Sequence, residues 1–141
     1  MYVNPPERDM FWPEVLGGGY HYMKLNGKWS DSTITNNLPF EFHLGIGQIY
    51  SGDTINVNDI IGFVHNDFRV TLPGSAFDMC ANCGIVMPIV MRIENWFQNP
   101  HVYNHADYAD NIMQDQEAMQ IGCDNGKSDV FTSGEIQYAV P

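Results

Sequence analysis

The sequence predicts a mainly β fold: an antiparallel, β-sandwich-like sheet with one short helix near the C-terminus. Three observations carry this. Apolar and polar residues alternate through most of residues 20–97, the period of a strand with one covered face. Turn-prone pairs, Asn26-Gly27 and Pro73-Gly74, punctuate the alternation. After Asn99-Pro100 the pattern changes to a spacing of three and four, in Ile112, Met113, Gln116 and Met119. That spacing predicts a helix over about 108–123, with Asn125-Gly126 as its stop.

The elements follow in order. The first 19 residues offer turns and aromatics, Phe11-Trp12-Pro13 and then Gly17-Gly18-Gly19. The triple glycine precedes a strand rather than a helix, so it reads as a flexible or close-packed turn and not as a phosphate cradle. Residues 20–25 form a strand that ends at Asn26-Gly27. In residues 38–46, Phe40, Phe42, Leu44 and Ile46 point one way and Glu41 and His43 the other, as in a half-buried strand. Residues 68–72 form a third strand, closed by Pro73-Gly74. Residues 85–96 read as a long fourth strand with Ile85, Met87, Ile89, Met91 and Ile93 on one face, while Val86 and Val90 partly cover the other. Pro88 places it at a sheet edge or a bulge. Residues 129–132 and 136–138 each suit a final short strand. No repeat, charge block or low-complexity tract marks a second domain, so residues 1–141 read as one.

Charge narrows the partners. Six Lys and Arg stand against 17 Asp and Glu, a formal charge of −11. So few cations cannot build the basic patch that nucleic acid or an anionic membrane surface rewards. No apolar run approaches the roughly 20 residues that span a bilayer. Residues 1–9 are polar and Pro-rich where a signal peptide would be basic and then apolar; a processed protein or a fragment would read the same way.

Enzyme templates are absent: there is no GxSxG, HExxH, Gly-rich phosphate loop or EF-hand spacing, and nothing among the acids selects a glycosidase pair. The chain reads as non-enzymatic. Cys80-Ala81-Asn82-Cys83 lies between strand-like runs, which suits a loop-tip pair that closes a small disulfide in an exported protein. A zinc site on Cys80, Cys83 and a histidine would need ligands at spacings the sequence does not offer.

The histidines say more. His21 and His43 sit in strand-like runs among aromatics, whereas His65, His101 and His105 lie in loop-like surroundings. A lone strand histidine is ordinarily structural, bonded to a carbonyl or a carboxylate. Two on neighbouring strands make a candidate copper or zinc pair that needs a third donor such as water or a thioether, with Met23 and Met10 at hand. Register decides between these readings. His43 opposite Met23 or Leu25 puts His21 on the same face; His43 opposite Lys24 sends the two rings to opposite faces. His101 and His105, four apart, would pair on a helix, but Pro100 and the neighbouring Asn residues predict a loop.

The succession Met10-Phe11-Trp12-Pro13, Gly19-Tyr20-His21-Tyr22-Met23-Lys24-Leu25-Asn26-Gly27, Phe40-Glu41-Phe42-His43-Leu44-Gly45, Val70-Thr71-Leu72-Pro73, Asn95-Trp96-Phe97 and Ile112-Met113-Gln114 resembles the MbnP-like copper-binding domain over nearly the whole chain. The Gly-Tyr-x-x-x-Lys-x-x-Gly block and the Phe-His-Leu-Gly strand are its more specific parts. The resemblance implies an exported bacterial β-sandwich domain of the periplasm or cell surface that binds copper. It implies His43 as the first ligand and His21 as the second. It further implies Trp12 as the position oxidised to kynurenine, with a di-haem peroxidase-like partner protein. The chain departs from the family at Phe11-Trp12-Pro13, where relatives carry two spaced tryptophans, and in its Cys80/Cys83 pair. The family domain is longer at its N-terminus, so the 141 residues read as its C-terminal part, lacking N-terminal strands and either marginally stable alone or built on a smaller sheet than the family's.

A second function class shares the fold: a cell-surface binding or adhesion module without a working metal site, presenting Trp12, Tyr20, Tyr22 or Trp96 to carbohydrate or protein.

Overall fold

The computed structural model describes residues 17, 21–33, 37–53, 55–108, 112 and 115–139. They are mainly strands in antiparallel pairs with a single helix near the C-terminus, as the alternation and the late apolar spacing predict. The chain divides into two compact units, residues 1–67 with 103–123, and residues 68–102 with 124–141.

The first unit holds two hairpins. Strands β1 (Met23–Trp29) and β2 (Leu38–Leu44) pair from Met23↔Leu44 to Trp29↔Leu38. β1 runs through Asn26-Gly27 rather than ending there. The missing side chain of Gly27 leaves room for the Phe40 ring, which would stand 2.6 Å from a Cβ at that position. Strands β3 (Ile46–Tyr50) and β4 (Ile60–His65) form the second hairpin, with a bulge at Ile49/Tyr50.

The half-buried reading of residues 38–46 fails at one end. Phe42, His43 and Leu44 are all buried, so both faces of β2 are covered where it approaches β3. One cover is the helix α1 (Gln116–Ser128). A Cβ on Gly122 would stand 2.7 Å from Phe42 and 2.9 Å from Leu44, so the glycine sets the distance at which helix and strand pack. Ile112, Ala118, Met119 and Cys123 complete this core. Asn66 ties the end of β4 to the helix, donating to Gln116 Oε1 and accepting from Gln116 Nε2, each at 3.0 Å.

The helix begins later and ends later than its apolar spacing predicts. Tyr108 lies in a bend, and residues 109–111 and 113–114 fall outside the described set. Asp115 caps the helix through Oδ1, which accepts from Ala118 N at 2.9 Å. Asn125-Gly126 does not stop it, because both residues are packing positions of the second unit. Asn125 Nδ2 donates to Trp96 O at 2.9 Å and His101 O at 2.8 Å, and Oδ1 accepts from His101 N at 2.9 Å. A Cβ on Gly126 would meet the rings of Phe68 and Trp96.

The second unit is built from short strands. The predicted long strand over 85–96 is broken at Met87-Pro88 into β5 (Gly84–Val86) and β6 (Ile89–Met91), and a 3-10 helix follows at Ile93–Phe97. Proline cannot donate to a ladder; its carbonyl instead accepts from Gly134 N at 2.9 Å. Both tail segments are strands, β7 (Phe131–Ser133) pairing with β6 and β8 (Gln137–Ala139) with β5. Residues 68–72 alternate in exposure without joining a ladder among the described residues. Trp96 and Val130 are buried, with Phe68 and Phe131 edge-on to the Trp96 ring at 6.0 and 5.8 Å.

Candidate metal centre

His43 occupies β2 opposite Lys24, the register that strict alternation associates with rings on opposite faces. The rings nevertheless meet. His21 and His43 have centroids 5.4 Å apart with planes inclined by 53°, and both residues are buried, at 6% and 4% exposure. The reason is local. β1 starts at Met23, Tyr22 sits in a bend, and Tyr22 N donates to Leu44 O at 3.1 Å. His21 therefore lies ahead of the strand, and the period of two does not extend to it.

A short chain of polar groups orients His43. Nε2 of His43 stands 2.7 Å from Asn26 Oδ1. Asn26 Nδ2 donates to Glu41 Oε1 at 3.4 Å, which turns the amide oxygen toward the imidazole. An amide oxygen only accepts, so His43 donates from Nε2, and in the neutral ring Nδ1 carries the lone pair. Burial lowers the pKa of His43; Glu41 opposes this and Lys24 reinforces it. The ring is held in the neutral form that a metal ligand requires.

One ion can bridge two such rings. With metal–nitrogen bonds of about 2 Å, two imidazole centroids sharing an ion stand within about 6 Å of each other, and the observed separation lies inside that reach. Among the described residues no group of three His, Cys, Asp or Glu side chains stands together as a metal cage. A third donor would therefore be a thioether, water or a modified aromatic. Met23 begins β1 two residues from His21; Met10 and Trp12 lie outside the described residues.

The other candidates are placed differently. His65 ends β4 and is exposed. His101 and His105 lie in a loop, as Pro100 predicts. His101 Nε2 is 3.8 Å from Asp124 Oδ2, and His105 belongs to an aromatic cluster with Trp29, Phe40 and Tyr103. Cys80 and Cys83 form a disulfide at a turn, with Cα atoms 5.6 Å apart. The zinc reading is overturned in this state, since neither sulfur is a thiolate. The buried Cys123 donates from Sγ to Asn66 O at 2.9 Å. Of the aromatics a surface module would present, Trp96 is 1% exposed and Tyr22 is 45% exposed; Trp12 and Tyr20 lie outside the described residues.

Sequence reading missed Asn26 and Glu41, because Asn26-Gly27 looks like a turn. The signal was the register: once Lys24 opposes His43, Asn26 is its diagonal neighbour on the same face. Comparison with known proteins gives no match to a family model, a curated protein or a solved structure.

Proposed function

We propose that this chain is an exported bacterial copper-binding protein, non-enzymatic, whose metal is held by His21 and His43. The observation that carries the reading is the 5.4 Å approach of two buried imidazoles. Imidazole suits copper, and a ring whose tautomer is set by a second polar group is the usual form of a metal-ligating histidine. His43 takes the ion through Nδ1, with Asn26 and Glu41 behind it. The third donor is Trp12, oxidised as in the MbnP-like domains the sequence resembles, or a methionine thioether. A di-haem peroxidase-like protein is the proposed oxidant of Trp12. The periplasm or cell surface is the proposed location, and the Cys80–Cys83 disulfide suits such an oxidising compartment.

Equilibrium dialysis against buffered copper tests the reading, with His21→Ala and His43→Ala beside the wild type and circular dichroism to verify the fold of each. One copper per chain, lost in both variants, is the expected result. Copper retained by both folded variants would remove the two histidines from the site.

A further inference from the structure

A second place in the first unit differs in chemistry from the histidine pair. A cavity of about 260 Å3 opens where Trp29 and Leu38-Pro39, at the paired ends of β1 and β2, meet His105, Ala106 and Tyr108. Its aromatic walls are held in place by other rings. Trp29 stacks on His105 with centroids 5.7 Å apart and planes inclined by 21°. Phe40 and Tyr103 back His105 at 4.6 and 4.9 Å, and Tyr108 stacks on Tyr103 at 4.8 Å. Such a platform loses little side-chain freedom when a ligand arrives.

The charges that act on Tyr108 have one sign. Among the described residues no Lys or Arg lines the cavity. Burial lowers the pKa of His105, which keeps that ring neutral. Burial raises the pKa of Tyr108, and Glu117, Asp115 and Asp107 raise it further, so three carboxylates act on one wall. The chain as a whole carries −11, which raises the local concentration of cations. Of the lining side chains only Trp29, His105 and Tyr108 carry polar atoms, few partners for the many hydroxyls of a sugar.

We propose that this cavity binds a soluble organic cation with a methylated ammonium group, seated on the faces of Trp29 and Tyr108 and drawn in by Asp107, Asp115 and Glu117. The site is separate from the histidine pair and does not depend on copper.

Choline and its neutral isostere 3,3-dimethylbutan-1-ol distinguish this site from a plain apolar cavity. Each is titrated into the full chain while the Trp29 indole N–H resonance is followed, assigned through Trp29→Phe. The expected result is a saturable shift with choline, binding of the isostere weaker by about tenfold or more, and weakening of choline binding by added salt. Tyr108→Leu should reduce choline affinity by about tenfold. If that variant does not fold, the comparison of choline with its isostere in the wild-type chain still decides. Equal affinity for the neutral isostere, or no response to choline, overturns the proposal. Binding to phosphatidylcholine vesicles without binding to free choline would overturn the small-molecule assignment.

Discussion

Asn26 Oδ1 accepts a hydrogen bond from His43 Nε2 at 2.7 Å. That bond sets which nitrogen of His43 carries the lone pair. It joins a residue that looks like a turn former to one that looks like a solvent-facing strand position. The metal reading stands on this bond and on the approach of His21.

Removing the amide should weaken metal binding without removing a ligand. Asn26→Ala leaves His21 and His43 in place but frees the His43 ring to change tautomer and rotate. Copper affinity, measured by competition with a chelator of known strength, should fall by about 10–100-fold while stoichiometry stays at one. An unchanged affinity would show that Asn26 does not position the ring.

Acid should destabilise the fold through two histidines. Burial depresses His43, with Glu41 opposing and Lys24 reinforcing, and burial depresses His105. Below the unfolded value of about 6.5 the unfolded chain takes up protons that the folded chain refuses. Stability is therefore full above about pH 6.5 and is lost as pH falls through the folded values. The urea midpoint of the metal-free chain should drop between pH 7 and pH 5, with a shallower slope in His105→Gln. Copper binding should weaken below about pH 6 for the same reason, since both rings must be neutral to ligate. Occupancy unchanged from pH 7 to pH 5 would contradict a two-imidazole site.

Asn125 makes three hydrogen bonds from a fully buried helix position. Asn125→Ala leaves the carbonyls of Trp96 and His101 and the His101 N–H without these bonds. A loss of about 3 kcal/mol in unfolding free energy is expected, measured by urea titration. A change below about 0.5 kcal/mol would mean that these groups find other partners.

Helix and β2 leave no room at Gly122. Gly122→Ala gains helix propensity worth up to about 1 kcal/mol but drives a Cβ against Phe42 and Leu44 at 2.7 and 2.9 Å. Overpacking of this kind costs about 1–3 kcal/mol, so the net change should be destabilising. A raised unfolding midpoint would show that the two side chains give way.

The fold class was legible because its signals are local. Alternation around Phe40, Phe42 and Leu44 marks β2, and the spacing of Ile112, Gln116 and Met119 marks a helix near its true place. β3 and β4 were not legible. In β4, Ile61 and Phe63 are exposed on the outward face, so no polar alternation remains to read. In β3, Gln48 interrupts the apolar pattern yet is buried, donating to Ile46 O at 3.0 Å. The histidine pair was legible as one residue type in two strand-like runs. Their meeting was not, because it depends on a bend at Tyr22 that no period describes. The cavity beside Trp29 joins residues more than seventy positions apart, a distance over which no local pattern reaches.

The central claim is that His21 and His43 share one copper ion, and the most direct measurement is the Cu(II) EPR spectrum of the chain loaded with one equivalent. Hyperfine structure from two imidazole nitrogens is predicted, and it is lost in both His21→Ala and His43→Ala. A wild-type spectrum that matches aqueous copper, in a chain shown to be folded, would contradict the account.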